Sequence, residues 1–399
     1  MKHLIPTALL VLCASPLASQ QPSPAHVALA RRVLRTTPLV DGHNDLPWRI
    51  REDTVARGNV DGYDIRKPAP GHTDLARLRR GMVGAQFWSI YIPGEIRDSG
   101  FARVQLEQFD IARRVIAKYP DVLQSTPTVA AVRRAFAAGR IGSLLGLEGG
   151  HAIENSLGAL RVYYDLGARY MTLTHNVTLD WADAALDSVR HGGLTRFGEE
   201  VVREMNRLGM LVDLSHVSPG TMSDALNVTE APVIFSHSNA RALSDHRRNV
   251  PDSILARLPR NGGVVMVTFV PTFLSSALRA WEDSGAANRK GPRPRVTVRD
   301  VADHIDHVRK VAGVNHVGIG SDFDGITDTP EGLTDVSTFP LLFAELARRG
   351  WTEADLRKVA GENVLRALGQ AERVAARIKR ERGASARTIR ELDGPGRVN

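Results

Sequence analysis

Eight short apolar runs recur along the chain, and amphipathic segments separate them. The runs span residues 38–45, 83–91, 141–150, 168–175, 211–216, 232–238, 263–269 and 316–325. The intervening segments, such as residues 101–119 and 195–209, carry apolar residues at the helical spacings of three and four. Near-continuous apolar runs are typical of parallel strands that are buried on both faces. Eight such units predict an α/β fold of the (β/α)8 TIM-barrel type.

Side chains that bind metal ions stand at the ends of five of these runs. They are His43 and Asp45, Glu148, His216, His237, and Asp322. The C-terminal ends of barrel strands open onto one face, where the loops of TIM-barrel enzymes build the active site. A doubly wound open sheet would instead gather its site at one switch point, so five separate strand ends favour the barrel. The sequence therefore predicts one site of the metal-dependent hydrolase type.

The ligand types indicate which metal and which chemistry to expect. Imidazole and carboxylate groups without a thiolate suit zinc and similar divalent ions. Two ions that share Glu148 as a bridge, roughly 3.5–4 Å apart, would bind a water between them and lower its pKa toward neutrality. The set thus predicts a hydroxide nucleophile held by two metals.

Composition argues against two other classes of protein. The formal net charge is +8 and the pI is about 9.9, but the arginines are scattered over helix faces, so we expect no nucleic-acid partner. After the N-terminus no stretch approaches the ~20 apolar residues of a transmembrane helix, so we expect no stable membrane span. With 399 residues and 43% hydrophobic content, the chain can form one barrel domain of ordinary size.

The two ends of the sequence differ from the barrel region. Residues 1–19 combine a basic start, an apolar stretch and small residues, which predicts a signal peptide and an exported protein, periplasmic or secreted. The only cysteine, Cys13, lies in this segment; attachment as a lipoprotein is disfavoured because Leu12 precedes it where a small residue is expected. Residues 25–370 form the predicted catalytic domain. Residues 371–399 form a basic tail that we expect to be a solvated helix that frays.

Seven short motifs follow one another along the barrel region: DGHNDLP, LEGG, LTH, DLSH, FSHS, RRNVPD and GSDFDG. In this order they resemble the membrane (renal) dipeptidases, which are zinc metallopeptidases with amidohydrolase-like barrels, and the chain is similar to a bacterial member. The resemblance runs from residue 25 to residue 370. It implies hydrolysis of free dipeptides, tolerance of a D-residue at the C-terminal position, and a homodimer.

The resemblance also implies two Zn2+ ions per chain and assigns the ligands to them. His43 and Asp45 would bind one ion, His216 and His237 would bind the other, and Glu148 would bridge both. These are the same residues that stand at the ends of the apolar runs.

Three further residues receive roles from the resemblance. His175 would contact the scissile carbonyl or its oxyanion, Arg248 would bind the terminal carboxylate of the substrate, and Asp322 would move the proton. A guanidinium can meet a carboxylate with two parallel hydrogen bonds, so Arg248 would discriminate against longer peptides. From spacing alone, Arg247 is an alternative to Arg248, and Asp324 is an alternative to Asp322.

Two functions other than that of a dipeptidase are also weighed against the predicted site residues. One is another TIM-barrel amidohydrolase acting on cyclic amides or lactones; many of these carry a carboxylated lysine on the fourth strand, where this chain has His175. The other is a non-catalytic ligand-binding barrel, which would most easily have lost a metal ligand or the proton-carrying carboxylate. Because the set is intact, the sequence favours a binuclear zinc dipeptidase.

Overall fold

The structure, a computed structural model, describes residues 21–96 and 100–395. The predicted signal peptide, residues 1–19, lies outside the described residues. The strands in the described residues are β1 Leu39–Asn44, β2 Val83–Tyr91, β3 Leu123–Ser125, β4 Ile141–Glu148, β5 Ala168–Thr172, β6 Leu211–Asp213, β7 Ile234–Phe235, β8 Val264–Val267 and β9 Val317–Ile319.

Eight of these strands close into a parallel barrel. Its order is β1, β2, β4, β5, β6, β7, β8 and β9, and β9 returns to β1 by pairing Ile319 with Asp41. The predicted (β/α)8 fold is confirmed, and each apolar run contains one barrel strand. Strand β3 lies outside the ring, because it pairs with residues 141–143 of β4 before β5 takes that side from Leu145 onward. The sequence did not predict β3, since three residues form no recognisable apolar run.

Helices follow the strands, and most of them cover the outside of the barrel. Their bounds are α1 Pro24–Thr36, α2 Leu46–Arg51, α3 Leu75–Arg80, α4 Phe101–Lys118, α5 Val129–Ala137, α6 Leu157–Asp165, α7 Arg196–Leu208, α8 Pro219–Val228, α9 Asp252–Leu255, α10 Leu258–Asn261, α11 Pro271–Leu274, α12 Ser276–Asp283, α13 Val298–Ala312, α14 Phe339–Arg348, α15 Glu353–Arg357, α16 Asn363–Glu381 and α17 Ile389–Asp393. The predicted helical segments 101–119 and 195–209 correspond to α4 and α7. Helix α7 begins where the Thr195 side chain accepts the Gly198 N–H. No helix in the described part of the chain is long and apolar enough to cross a membrane.

Side chains fill the barrel interior, and α16 closes one end of it. Phe87 and Tyr170 of the strands are buried in one cluster with Leu368 of α16. The Asn363 side chain donates a hydrogen bond of 2.8 Å to the carbonyl of Val317, where β9 begins. Helix α16 therefore seals the N-terminal end of the barrel, and the C-terminal face remains for the site.

The segment after residue 370 differs from the expected frayed helix. Helix α16 continues to Glu381, and Ala371, Ala375 and Ile378 are buried on its inner face. Further on, the Asp393 carboxylate accepts the backbone N–H groups of residues 196 and 197 and so caps α7. Spacings of four and three residues between the buried positions make this packing possible, although charged residues outnumber them in the sequence.

Replacing Ile378 with Ala tests the packing of this segment. Because Ile378 is fully buried, the change should lower the free energy of unfolding by roughly 2 to 5 kcal/mol, measured by chemical denaturation. The matched control, Arg380→Ala, alters an exposed residue of the same helix and should have little effect. Equal stability of the two variants would mean that the segment is solvated after all.

Candidate metal centre

The predicted metal ligands come together at the C-terminal face of the barrel. His43 lies in β1 and Glu148 ends β4, whereas His216 and His237 follow the ends of β6 and β7. Asp45 is not part of β1 but lies in the turn before α2, with φ −95° and ψ 22°. Its Oδ2 nevertheless lies 3.2 Å from His43 Nε2. His43 and Asp45 are therefore brought together by the turn at the end of the strand, and not by their alternation along one extended strand.

Glu148 is the centre of the cluster. Its Oε2 lies 3.2 Å from His43 Nε2, while its Oε1 lies 3.1 Å from His216 Nε2 and 3.5 Å from His237 Nε2. Ser89, on the neighbouring strand β2, donates a hydrogen bond of 3.0 Å to Oε2 and orients the carboxylate. The two oxygens of one buried carboxylate thus face different imidazoles.

Hydroxyl groups behind two of the imidazoles indicate which ring nitrogen carries the proton. Tyr170 donates its hydroxyl proton to a backbone carbonyl at 3.3 Å, so it accepts from His43 Nδ1 at 2.8 Å. Ser236 donates to the Asp213 carboxylate at 2.6 Å, so it accepts from His237 Nδ1 at 2.8 Å. With the proton assigned to Nδ1 in both rings, the lone pairs of both Nε2 atoms point toward the cluster.

His216 follows the same pattern, so none of the three Nε2 atoms that face the cluster carries a proton. Its Nδ1 lies 3.0 Å from the amide oxygen of Asn176. The Nε2 atoms of His216 and His237 are 2.8 Å apart, although both then present lone pairs. His43 Nε2 is buried and has no hydrogen-bond partner among the described residues. Converging acceptors of this kind are stabilised by a cation among them, so the residues fit a divalent metal.

The electrostatics of the cluster agree with this fit. Burial opposes ionisation of Glu148, but the nearness of His43 lowers its pKa well below the ordinary value. Burial likewise opposes a charge on His43, but Tyr170 and the carboxylates of Glu148 and Asp45 raise its pKa well above the usual range, so the centre of the cluster favours a positive charge. Burial also lowers the pKa of His216 and of His237 well below the usual range. Neutral imidazoles and an ionised carboxylate are the forms that bind metal ions.

The turn after β9 directs Asp322 and Asp324 to different places. Sequence spacing alone could not decide which of the two belongs to the site. Asp322 and Asp324 have left-handed backbone, at φ +69° and +66°, which is uncommon for residues with a side chain. A hydrogen bond of 3.1 Å from the Asp322 N–H to the carbonyl of His43 holds this turn. It brings the Asp322 carboxylate within 4.8 Å of ligand atoms of His43 and Asp45. Asp324 instead accepts the backbone N–H of His72 at 2.7 Å.

His175 lies beside the cluster, on the turn after β5. Its ring is 4.8 Å from the ring of Tyr91 and 4.3 Å from that of His216. Its Nε2 lies 4.0 Å from Glu148 Oε1, and burial lowers its pKa. The neutral imidazole therefore faces the same space as the bridging carboxylate.

Arg248 and Arg247 occupy different environments. Arg248 is 1% exposed, and its guanidinium lies 5.4 Å over the ring of Phe273. Burial lowers the pKa of Arg248 to about 10, and its Nη1 has no hydrogen-bond partner in the described part of the chain. Arg247 is exposed and donates to the carbonyl of Asp187. The structure places Arg248, not Arg247, at the site.

A cavity of 640 Å³ opens above the cluster. Asp45, Glu148, His216 and His237 form part of its floor, together with Asp322. Its walls include Trp48, Glu52, Tyr91, His175, Leu186, Arg248, Val270, Phe273 and Ile326. All predicted site residues except the buried His43 therefore line one cavity, and His43 contacts it from below.

Comparison with known proteins agrees with this arrangement. The model of the membrane dipeptidase family, peptidase family M19, matches residues 27–382. The chain belongs to this family. The match extends past residue 370, in agreement with the packed α16.

Solved structures of membrane dipeptidase relatives share the fold. The probable dipeptidase PvdM from Pseudomonas aeruginosa is 25% identical with a TM-score of 0.77, over 88% of this chain and 100% of that chain. A metallopeptidase from Rhodobacter sphaeroides, liganded with a phosphinate mimic of the dipeptide L-Ala-D-Ala, is 27% identical with a TM-score of 0.72. Dipeptidase AC, a family M19 metallopeptidase, is 28% identical with a TM-score of 0.73. For the last two, the match covers 84% of this chain and 99% of the other.

Family and site together define the class of activity. The chain is a metallo-dipeptidase, a hydrolase of small dipeptides, and it carries clustered side chains able to bind metal ions. The family match favours the dipeptidase over both the cyclic-amide hydrolase and the non-catalytic barrel considered from the sequence.

The sequence did not reveal the residues that orient the metal-ligating side chains of the dipeptidase. Tyr170, Asn176 and Ser236 contact the imidazoles, and Ser89 contacts Glu148. A polar residue inside an apolar run, as at Ser89 and Tyr170, is the signal that was available. It does not identify the partner, because Tyr170 and its histidine are 127 residues apart in the sequence.

The remaining histidines of interest have other partners. His304 accepts the N–H of Ala240 and contacts the carbonyl of Leu274, and His307 pairs with Asp252. His151 lies in a short helix after β4 and contacts the carbonyl of Ile92. None of these three belongs to the groups of possible metal ligands in the described residues.

Replacing Tyr170 with Phe tests whether the group behind His43 supports metal binding. The change removes the acceptor of the Nδ1 proton and should lower metal affinity by about 10- to 100-fold, measured by competition with a chromophoric chelator. Tyr163→Phe is the control, because that buried hydroxyl donates to the carbonyl of Ala152 away from the site. Unchanged affinity in Tyr170→Phe would contradict the assigned proton position.

Proposed function

We propose that the dipeptidase holds two zinc ions and hydrolyses the peptide bond of free dipeptides. His43 and Asp45 would hold one ion, His216 and His237 would hold the other, and Glu148 would serve both. The observation that supports two ions is the division of the Glu148 carboxylate. Oε2 lies near His43, whereas Oε1 lies near His216 and His237. With a single ion, either the His43 Nε2 atom beside Oε2 or the two Nε2 atoms beside Oε1 would have no cation next to them.

Zinc is proposed from the donor chemistry, because imidazole and carboxylate ligands without thiolate suit it. When bound, such ions activate a water molecule as the nucleophile for hydrolysis. The protein's own contributions are to orient the dipeptide, to support the charge on the carbonyl oxygen and to move a proton.

Arg248 orients the dipeptide by its terminal carboxylate. Its buried guanidinium has an unpartnered Nη1, and a substrate carboxylate can accept hydrogen bonds from it. Phe273 packs against one face of the guanidinium and limits its movement. A peptide with a third residue would place an uncharged amide at Arg248, so longer peptides bind poorly.

His175 and Asp322 act at the scissile bond. The neutral His175 ring donates from Nε2 to the carbonyl oxygen, where negative charge develops. Burial and the charges of Asp45 and Glu148 raise the pKa of Asp322 well above its ordinary value, so its carboxyl group can hold a proton. Asp322 takes up the proton of the attacking water and returns it to the nitrogen of the departing amine.

A panel of small peptides tests the function. Purified enzyme should cleave L-Ala-L-Ala or L-Ala-D-Ala when zinc is present, lose this activity after chelation, and leave a tripeptide and an N-blocked dipeptide uncut. The Rhodobacter relative with its L-Ala-D-Ala mimic supports including the D-residue. Cleavage of none of these peptides by enzyme that holds two zinc ions would exclude the proposal.

Replacing Asp322 with Asn tests the proton role. The variant should keep its metal content and fold while turnover falls by about 10²-fold or more, because proton transfer is lost. Asp324→Asn is the matched control, since its side chain keeps an oxygen to accept the His72 N–H and should leave turnover nearly unchanged. Near-normal turnover of Asp322→Asn with two bound metals would assign the proton to another group.

We also propose that residues 1–19 direct export to the periplasm or beyond and that the enzyme forms a homodimer. The charge and apolar pattern of the N-terminus supports export, and the family resemblance supports the dimer. Mass spectrometry of the enzyme from the periplasm or medium should show a chain that starts near residue 20, with a dimer mass in solution. Retention of residues 1–19 on enzyme found in the cytoplasm would contradict export.

A further inference from the structure

A buried carboxylate outside the cluster is connected to one of the metal-ligating imidazoles. Asp213 ends β6, is fully buried and is not among the residues that line the cavity. Its Oδ2 accepts the Ser236 hydroxyl at 2.6 Å, and the oxygen of that hydroxyl accepts the Nδ1 proton of His237 at 2.8 Å. Two consecutive hydrogen bonds, here called the Asp213 relay, therefore run from the carboxylate through one hydroxyl to the imidazole.

We propose that Asp213 and Ser236 are positioning residues that strengthen His237 as a metal ligand. This inference rests on the proposed function, in which His216 and His237 would hold the second of two zinc ions. An acceptor behind a ligating imidazole orients the ring and raises its basicity. Because the Ser236 hydroxyl itself donates to a carboxylate, its oxygen is a stronger acceptor for the imidazole proton.

The contacts of Asp213 match an ionised carboxylate. Its Oδ1 accepts the backbone N–H groups of Ser215 and Ser236 at 3.1 Å and 2.8 Å. Its Oδ2 accepts the hydroxyl groups of Thr172 and Ser236. An ionised carboxylate can only accept, and these four donors occupy both of its oxygens. Burial raises the pKa of Asp213, but the same hydrogen bonds lower it and so favour the charged form.

The acceptors behind the other two ligand imidazoles are neutral. His43 Nδ1 faces the Tyr170 hydroxyl, whose pKa burial raises, and His216 Nδ1 faces the amide oxygen of Asn176. The Tyr170 hydroxyl donates to a backbone carbonyl and not to a carboxylate. Among the described residues, only His237 of these three imidazoles is thus connected to a carboxylate through its Nδ1 acceptor. Breaking the relay should therefore weaken the binding of one ion and not of both.

Replacing Asp213 with Asn should reverse the direction of the relay. The two backbone N–H groups can only donate, so the amide oxygen takes the place of Oδ1 and the NH2 group takes the place of Oδ2. Ser236 then accepts from this NH2 group and donates its own proton to His237 Nδ1. The imidazole proton moves to Nε2, where it opposes the binding of a cation.

The experiment measures zinc binding by Asp213→Asn and Ser236→Ala, through competition with a chromophoric chelator and metal analysis after dialysis. The unchanged enzyme should bind two ions per chain. Each variant should lose about 10- to 100-fold in affinity for one ion and keep its affinity for the other. The charge of Asp213 also stabilises the charged form of Arg248. Ser236→Ala keeps that charge, and in its background Asp213→Asn should have little further effect on zinc affinity.

Thr172→Val is the matched control. It removes the other hydroxyl that donates to Asp213 Oδ2, and this hydroxyl is not hydrogen-bonded to an imidazole in the described part of the chain. Both zinc affinities should stay within about twofold of those of the unchanged enzyme, since the relay is intact. Circular dichroism of the metal-free variants checks the fold, and either relay variant alone is sufficient for the test.

Two results would overturn the relay while leaving the two-ion function intact. One is unchanged affinity for both ions in a folded Asp213→Asn or Ser236→Ala protein. The other is equal weakening by Thr172→Val and Ser236→Ala, which would mean that Asp213 supports only the fold. Failure of the unchanged enzyme to bind a second ion would instead reject the proposed function on which the inference rests.

Discussion

The site depends on the convergence of imidazole lone pairs on one buried carboxylate. His216 Nε2 and His237 Nε2 approach to 2.8 Å, and both lie beside Glu148 Oε1. Without a positive charge among them, these acceptors repel one another, and burial weakens the screening by water. The folded chain must therefore hold them together at a cost in free energy that a bound cation offsets. The surrounding hydrogen bonds are best understood as the means by which the protein holds this arrangement.

Two buried carboxylates connect the strand ends that carry the ligands. Asp41 of β1 accepts hydrogen bonds from the backbone and hydroxyl of Ser321 and from Gln86. Burial raises the pKa of Asp41 to about 6, and those hydrogen bonds limit the rise. Asp213 of β6 accepts from the Thr172 and Ser236 hydroxyl groups, at 2.5 Å and 2.6 Å. Each carboxylate ties three neighbouring strands, so the ligand positions are set by the barrel and not by flexible loops.

The sequence predicted the fold and the floor of the site better than the walls. Apolar runs identify barrel strands, and the topology of a barrel brings their C-terminal ends together, so His43 and Glu148 were accessible to that reasoning. It identified His216 and Asp322 as well, but it did not predict how they are positioned, because the local geometry there departs from a regular strand. Strands β6 and β9 end three residues before His216 and Asp322, and both residues then adopt left-handed backbone at φ +69°. Spacing along a strand cannot anticipate such turns.

The walls were hidden for a different reason. Trp48 and Glu52 lie in and after a short helix whose six residues carry no clear helical pattern in the sequence. The tail was misjudged because its charges concealed three buried residues on one face of α16. In each case, the deciding contact joins residues far apart in the chain. Tertiary packing therefore supplies information that local composition does not contain.

The burial of Arg248 also explains how the proposed site can select small substrates. A metal centre activates water without regard to the length of the peptide, so length must be measured by other groups. Arg248 is buried and held against Phe273, so under the proposed function it would be a fixed reference point for the substrate carboxylate. Selection at the C-terminus should therefore be strict, because a substrate without a carboxylate at that position would leave the buried charge unpaired.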